Sequence, residues 1–452
     1  MTYKIATFGC AMNISDAGRI KTVMNKAGFK KSDKNPGVII FVACSVRQSA
    51  IDRVWGKIKK QKTINRVQGI QKKPLIILTG CVLEEDRKKF ENRVDILVDI
   101  KETEQLPKLI LGHKAIKPYS HKNIGDNYFH ISPKRNSKFS ALVPIMTGCN
   151  NYCSYCAVPY TRGREYSRPV DEILKEVEEL VRNGYKEIIL LGQNVNSYRF
   201  AISNKTIKQL NNKPIAKLLN CSIVMFPALL KSINALKGDF WIRFFTSHPK
   251  DLSDELIKAM AECEKVCKYI NLPVQAGDNT VLKKMNRKYT VSHYKKLIKK
   301  LKKAMPQITI STDIIVGFPG ETEKKFENSA KLFREIKYDM AYIAQFSPRA
   351  GTAAARLKDN VTREEKKRRE KALTEILKKT ALKNNMVYKD TVQDVLVEKK
   401  LKNGKYLGKT GSYKHVQIAN NRGQLTGNRD LIGEFIQVKI NDVGPWGLKG
   451  KV

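Results

Sequence analysis

Three short β-rich runs near the start of the chain, YKIATFGC, GVIIFVAC and KPLIILTGC, each end on a cysteine. Each hands over to a helix-forming stretch: ISDAGRIKTVMNKAGF, SVRQSAIDRVWGKIKKQ and LEEDRKKFEN. A strand–helix repeat of this kind has few solutions, and the natural one is a doubly wound parallel sheet with helices on both faces. Ligands of such sheets bind off the carboxyl ends of the strands. Cys10, Cys44 and Cys81, far apart in the chain, are therefore expected at one crevice. Any one of them alone reads as a small buried residue. Three at the same phase of three successive units read as a shared site.

A polar stretch containing PYSHKN, IGDN and SPKRNSK marks a linker over 113–138, after a first domain at 1–112. The alternation then resumes on a larger scale, with strands expected at 141–146, 187–192, 241–247, 269–274, 308–316 and 339–346. Six βα units make a partial, open version of the eight-fold barrel, whose chemistry sits at the C-terminal rim of the strands. That rim is polar and glycine-rich here: GQN, TSHP, PVQAGD, VGFPGE and SPRAGT, with Gly317 and Gly320 serving a turn in GFPG. Between 199 and 222 the rhythm breaks, as an inserted loop would break it. A charged helix starts at Thr362, which forms a capping box with Glu365, and closes a central domain at 139–388. The final segment, 389–452, alternates with period two between glycine-rich turns, the pattern of a small β-barrel of oligonucleotide-binding type.

Charge narrows the partners. With 85 Lys and Arg against 43 Asp and Glu the chain carries +42, far beyond the net magnitude of roughly 2 to 8 that keeps a small domain soluble. Such an excess creates a field that phosphates feel, and no basic amphipathic anchor directs it to a membrane. On the C-terminal barrel Lys399, Lys400, Lys402, Lys405, Lys409, Tyr413 and Lys414 are expected on one side. Basic side chains with an interleaved aromatic suit backbone tracking plus base stacking, the plainer alternative being lysines that defend an exposed strand edge. The longest apolar runs are strand-length, and MTYKIATFGC enters a strand directly without the regions of a signal peptide. A cytoplasmic protein is expected. Its nine cysteines are then poor candidates for disulfides and good ones for metal or redox chemistry.

The stretch TGCNNYCSYC, 147–156, packs three of those cysteines behind the first central strand. A structural zinc site takes four protein ligands, and iron–sulfur cubanes are usually held by four thiolates. No fourth cysteine or histidine follows at metal-site spacing. Three thiolates on a 4Fe-4S cluster leave one iron uncovered, where a substrate can bind; a zinc site would lack a ligand.

The CxxxCxxC spacing of CNNYCSYC, with Tyr155 before its last cysteine, resembles the radical S-adenosylmethionine (SAM) superfamily. The resemblance implies that the uncovered iron is chelated by the amino and carboxylate groups of SAM. GCAMN, CSVRQSA, GCNNYCSYCAVPYTRGREYSRP, LLGQNVNSY, TSHPKDLSDELI, LPVQAGDNTVLKKMNRKYT, TDIIVGFPGET and FSPRAGTAAA together resemble the MiaB-type tRNA methylthiotransferases over nearly the whole chain, the last segment being similar to that family's TRAM domain. By that resemblance Cys10, Cys44 and Cys81 hold an auxiliary 4Fe-4S cluster, and Cys149, Cys153 and Cys156 the SAM-coupled one. The implied reaction methylthiolates carbon two of isopentenyl-adenosine beside the anticodon in tRNA, with two SAM molecules, a reducing donor such as flavodoxin or ferredoxin, a monomeric enzyme and no catalytic residue beyond the clusters. Threonylcarbamoyl-adenosine or a ribosomal protein side chain is the alternative substrate. A non-catalytic, zinc-stapled RNA-binding protein is the alternative from another class. Ala11, VLEED after Cys81, Ala276 and Ala350 depart from the family pattern and bear on substrate subtype.

SAM contacts are expected from the rim at Gln193, Asn194, Ser247, Gln275 and Asp313, with Tyr155 near the adenine; satisfied strand-end groups are the alternative. Arg162, Arg164 and Arg168 are placed for RNA phosphates, against salt bridges to the acidic helix that follows. Of the leftover Cys221, Cys263 and Cys267, the last two fall four apart on an expected helix, as a metal pair or, more simply, as buried inert thiols.

Overall fold

The computed structural model of the chain describes residues 1–46, 48–67, 73–112, 127–201, 223–419 and 430–452. The cysteine-closing runs are strands of one parallel sheet, ordered Lys30–Lys31, Thr2–Phe8, Val38–Cys44, Leu75–Cys81, Ile96–Leu97. Helices cover both faces. Val38, Ile40 and Val42 face a core with Ile20 and Met24 of helix Ala11–Lys26, while Ile39, Phe41 and Ala43 face one with Ile51, Val54 and Ile58 of helix Gln48–Val67. Each such valine, isoleucine and phenylalanine contributes about 1.5–3 kcal/mol on burial, which explains why this strand is apolar at every position. Strand order reverses between Thr2–Phe8 and Val38–Cys44, the place where such sheets open a crevice.

The expected linker is only partly one. Residues 113–126 lie outside the described residues, but Tyr128 and Phe129 are buried in the first core, and Arg19 Nε donates to the Tyr128 carbonyl at 3.0 Å. An aromatic pair inside a polar stretch draws that stretch onto helix Ala11–Lys26.

All six expected central strands form, as two parallel three-stranded sheets. Ser140–Pro144, Glu187–Leu191 and Trp241–Phe244 make one; Tyr269–Asn271, Thr309–Val316 and Met340–Gln345 make the other. A parallel bridge between Ile242 and Val266 carries the curve across. The inserted segment leaves and returns through an antiparallel pair, Arg199–Ala201 with Ile223–Met225; residues 202–222 are outside the described residues. Helix Arg363–Asn385 starts at Thr362, whose Oγ1 accepts from Glu365 N at 3.2 Å.

The last segment is a closed barrel of Val392–Lys400, Tyr406–Thr410, His415–Ala419, Gly447–Lys451 and Phe435–Gly444 around Val395, Val397, Tyr406 and Val438. Buried charge docks it to the central domain. Arg243 donates to Glu187 Oε1 at 2.6 Å and to the carbonyls of Thr410 and Gly411 at 2.6 and 3.0 Å, and Lys409 pairs with Glu187 at 2.9 Å and Glu398 at 2.7 Å. Lys414 pairs with Asp339 at 2.7 Å, and the Tyr413 ring packs 4.7 Å from Tyr269 and 5.3 Å from Phe245. This corrects the expectation for the RNA face: Lys409, Tyr413 and Lys414 turn inward to neutralise and cover the domain junction, because Glu187 and Asp339 await them there. Lys399, Lys400, Lys402 and Lys405 are exposed. Among the described residues no helix is long and apolar enough to cross a membrane.

Candidate functional site

Cys44 and Cys81 end adjacent strands and face each other in register. Their approach depends on Gly80, whose φ is +108° and where a Cβ would stand 2.3 Å from the Ala43 carbonyl. Cys10 lies beyond its strand, which ends at Phe8, and caps helix Ala11–Lys26. Asn13, one turn in, accepts from Cys10 N at 3.3 Å and from its thiol at 3.5 Å, and reaches Cys81 Sγ with its Nδ2 at 3.7 Å. The three thiols meet: Cys44 hydrogen-bonds both others, which lowers Cys10 to about 6 with help from the Arg162 charge, lowers Cys81, and pushes Cys44 up in exchange.

Arg162 completes this group from another domain. Its Nε donates to Cys81 Sγ at 2.9 Å and its Nη2 to Asp16 at 2.5 Å, while Asp16 also accepts from the Tyr128 hydroxyl. The residue is 2% exposed and its Nη1 has no partner among the described residues. It therefore does not meet RNA phosphates as expected; a guanidinium between a carboxylate and a thiol at a domain boundary is held there by charge. Arg168 is also buried, paired with Glu172 at 3.2 Å and with Glu176, the salt-bridge alternative. Of the three arginines Arg164 alone is exposed.

Helix Val158–Arg162 follows directly on the second cysteine group. There the loop turns at Gly148, with φ +78° and the Arg164 carbonyl 2.0 Å from a built Cβ. Asn151 Nδ2 donates to Cys149 Sγ at 3.4 Å, and Arg287 Nη1 to Cys153 Sγ at 3.4 Å while its other nitrogens hold the Tyr289 hydroxyl and the Pro273 carbonyl at 2.9 Å each. Burial raises the Cys149 thiol and pushes that of Cys156 to about 12. The loop is tied down by Ser154, bonded to the Met285 and Lys284 carbonyls at 3.0 and 2.8 Å. Sequence reasoning missed Arg287, although it stands in the quoted MNRKYT; a lone arginine in a lysine-rich run carries no local mark of burial.

A cavity of about 830 Å³ opens beside this loop, and Tyr155, Cys156, Gln275 and Asp313 line it with Gln48 and Ser49 from the start of helix Gln48–Val67 and with Trp446 from the C-terminal barrel. Gln275 holds a left-handed φ of +68°, its N bonded to the Asp313 carbonyl at 2.9 Å. Gln193, Asn194 and Ser247 are not among the cavity's lining. Each nevertheless carries a buried oxygen without a partner among the described residues, as do Asn196 and Asn271. A buried polar atom left unpaired costs about 1–3 kcal/mol, and three of these, on Gln193, Asn194 and Ser247, follow the ends of central strands Glu187–Leu191 and Trp241–Phe244. Beside them the His248 ring, pressed on Tyr289, is lowered to about 2 by burial. Cys263 and Cys267 are buried, but Cys263 follows the end of helix Asp254–Glu262 and Cys267 lies beyond it, so they do not share a helix face. Cys221 lies outside the described residues. Among the described residues no group of three or more His, Cys, Asp or Glu closes on a single ion.

Residues 143–333 match the radical SAM superfamily, 2–99 the uncharacterized protein family UPF0004, and 387–452 the TRAM domain. In fold the chain is similar to the radical SAM methyltransferase TsrM from Kitasatospora setae, with a TM-score of 0.51 and 12% identity over 78% of this chain and 77% of that one. It is similar too to the cobalamin-dependent radical SAM enzyme OxsB, with a TM-score of 0.51 and 12% identity over 84% of this chain and 56% of that one. A radical SAM enzyme carrying a TRAM barrel is the class so defined, with a 4Fe-4S cluster and SAM as its equipment. Curated relatives named tRNA-2-methylthio-N(6)-dimethylallyladenosine synthase match at full length: 38% identity in Finegoldia magna over 100% of this chain and 94% of the relative, 39% in Clostridium novyi over 99% and 96%, and 38% in Syntrophomonas wolfei over 100% and 98%. The chain belongs to that family. Its residues fit the equipment: thiols in threes, an N–H donor on a sulfur of each group, and unpaired rim oxygens for a polar cofactor.

Proposed function

We propose that this chain methylthiolates carbon two of N6-isopentenyl-adenosine beside the anticodon in tRNA, with two 4Fe-4S clusters, one on each cysteine trio, and two SAM molecules. The observation that carries the reading is Arg162. It leaves the helix next to the second trio and donates to a sulfur of the first, which supports reading both trios as parts of one site. The target hydrogen is neither acidic nor a leaving group, which puts it out of reach of general acids and bases; bound clusters and SAM supply radical hydrogen abstraction and the sulfur. The chain's own residues do the rest. Arg162 balances charge on the first trio and Arg287 on the second, Asn13 and Asn151 donate hydrogen bonds to a sulfur of each, and Gln193, Asn194 and Ser247 orient SAM. Ile314, Ile315, Ile343 and Leu377 make the cavity wall apolar, which suits a dimethylallyl group better than the charged threonylcarbamoyl one. We read the working form as a cytoplasmic monomer reduced by flavodoxin or ferredoxin.

Mass spectrometry of tRNA nucleosides from a deletion strain, before and after complementation, tests the reaction: methylthio-isopentenyl-adenosine is expected to vanish and return, and its persistence in the deletion refutes the assignment. Iron counted after anaerobic reconstitution tests the second cluster, with about eight irons per chain expected and about half after Cys10, Cys44 and Cys81 are all changed to alanine.

A further inference from the structure

Three tryptophans occur in the chain, and two have ring or cation partners. Trp55 meets Phe90 at 5.3 Å and Arg93 at 5.3 Å; Trp241 meets Phe435 at 4.6 Å and Arg243 at 4.9 Å. Trp446 has neither among the described residues, and its indole N–H has no bond there. It lines the cavity that holds Cys156 and is still 48% exposed, so it stands where the cavity meets solvent.

Its position is built, not accidental. Gly444 pairs with Gly447 in the ladder of Phe435–Gly444 with Gly447–Lys451, which leaves Pro445 and Trp446 as a two-residue turn. Asn385, buried at the end of helix Arg363–Asn385, donates its Nδ2 to the Gly444 carbonyl at 2.7 Å and to that of Pro445 at 3.4 Å. A turn whose backbone is held by a barrel hairpin and a long helix fixes the point from which the indole projects, so little backbone freedom is lost when something stacks on the ring. Met340 and Tyr342, alternate residues of the last central strand, line the same cavity and are 38% and 45% exposed.

We propose that Trp446 is a stacking platform for an unpaired nucleobase of the RNA strand that carries the target adenosine. This rests on reading the substrate as RNA. A flat apolar face at the entrance of a reaction cavity, in a chain of +42, offers a π-face for a base within a field that draws the phosphate backbone; the exposed Lys399, Lys400 and Lys405 stand at the other end of the barrel, beyond the Leu396–Phe435 pair. A base stacked there keeps the neighbouring strand open, so that the target nucleotide is presented unpaired to the cavity.

The test uses the full-length reconstituted enzyme, an anticodon stem–loop RNA, and a blunt RNA duplex of equal length. The stem–loop is expected to quench indole emission and the duplex not to. Trp446→Phe is expected to abolish that quench while binding the stem–loop within about twofold of the parent. Trp446→Ala is expected to weaken binding and raise KM about tenfold, with kcat within about twofold. Equal quenching by the duplex, a quench that survives in Trp446→Phe, or unaltered binding and KM in Trp446→Ala each overturns the proposal. The phenylalanine variant decides it even if the alanine variant does not fold. A parent that binds and is quenched yet leaves the adenosine unmodified sinks the proposed reaction and leaves the platform standing.

Discussion

Cys149, Cys153 and Cys156 lie within one loop, whereas Cys10, Cys44 and Cys81 come from the ends of separate units of a sheet. Both groups are dressed alike, with an asparagine amide and a buried guanidinium donating to sulfur. They differ in where the guanidinium comes from. Arg287 belongs to the same domain as the loop it serves, but Arg162 reaches the sheet from across a boundary. The loop group is thus dressed locally, whereas the sheet group receives its guanidinium only when two domains are folded and docked. Damage to packing should strike the second long before the first.

The largest effect is expected from Gly80→Ala, which drives a Cβ into the Ala43 carbonyl and separates Cys44 from Cys81. Iron after reconstitution should fall by about half, with the spectrum of the SAM-bound cluster kept; loss of both clusters together would break the distinction between local and distributed sites. Next comes Arg162→Gln, which strands the buried Asp16 charge and should cost about 3–5 kcal/mol in denaturant unfolding, with the altered electron paramagnetic resonance confined to the auxiliary cluster. Arg287→Gln should cost less, about 1–3 kcal/mol, and alter only the SAM-bound cluster. If the two arginine variants prove interchangeable in their spectra, the boundary-crossing role of Arg162 is wrong. Asn13→Ala and Asn151→Ala should each cost about 1 kcal/mol, with Asn13→Ala the more harmful because its amide touches two cysteines.

The smallest effect concerns the rim near Arg287. Burial holds the His248 imidazole neutral, its pKa lowered to about 2, while in the unfolded chain it titrates near about 6.5. Below that value the unfolded state takes up a proton that the native state refuses, so stability present above pH about 6.5 declines as the pH falls. His248→Gln should flatten the acid side of the melting-temperature profile; parallel profiles for the two proteins would show that the ring is not the cause.

The six central strands, the parallel sheet before them and the closed barrel after them were all legible in the alternation of apolar and polar residues, because period and turn chemistry are properties of short segments. The cysteines were legible for the same reason: spacing within 149–156, and phase within three repeats. Arginine and lysine were read least well. Arg162, Arg168, Lys409 and Lys414 look like solvent cations in the chain, yet all four are buried against Asp16, Glu172, Glu187 and Asp339 respectively. Arg287 and Trp446 carried no signal at all.

Taken alone, the order of amino acids determined the three folding units, the grouping of six cysteines into two trios and the sign of the charge. Whether a given cation meets solvent, a sulfur or a carboxylate was decided only by the tertiary structure. Periodicity is written between near neighbours, but the partner of a long charged side chain sits wherever another domain happens to bury an opposite charge, and no local pattern encodes that distance.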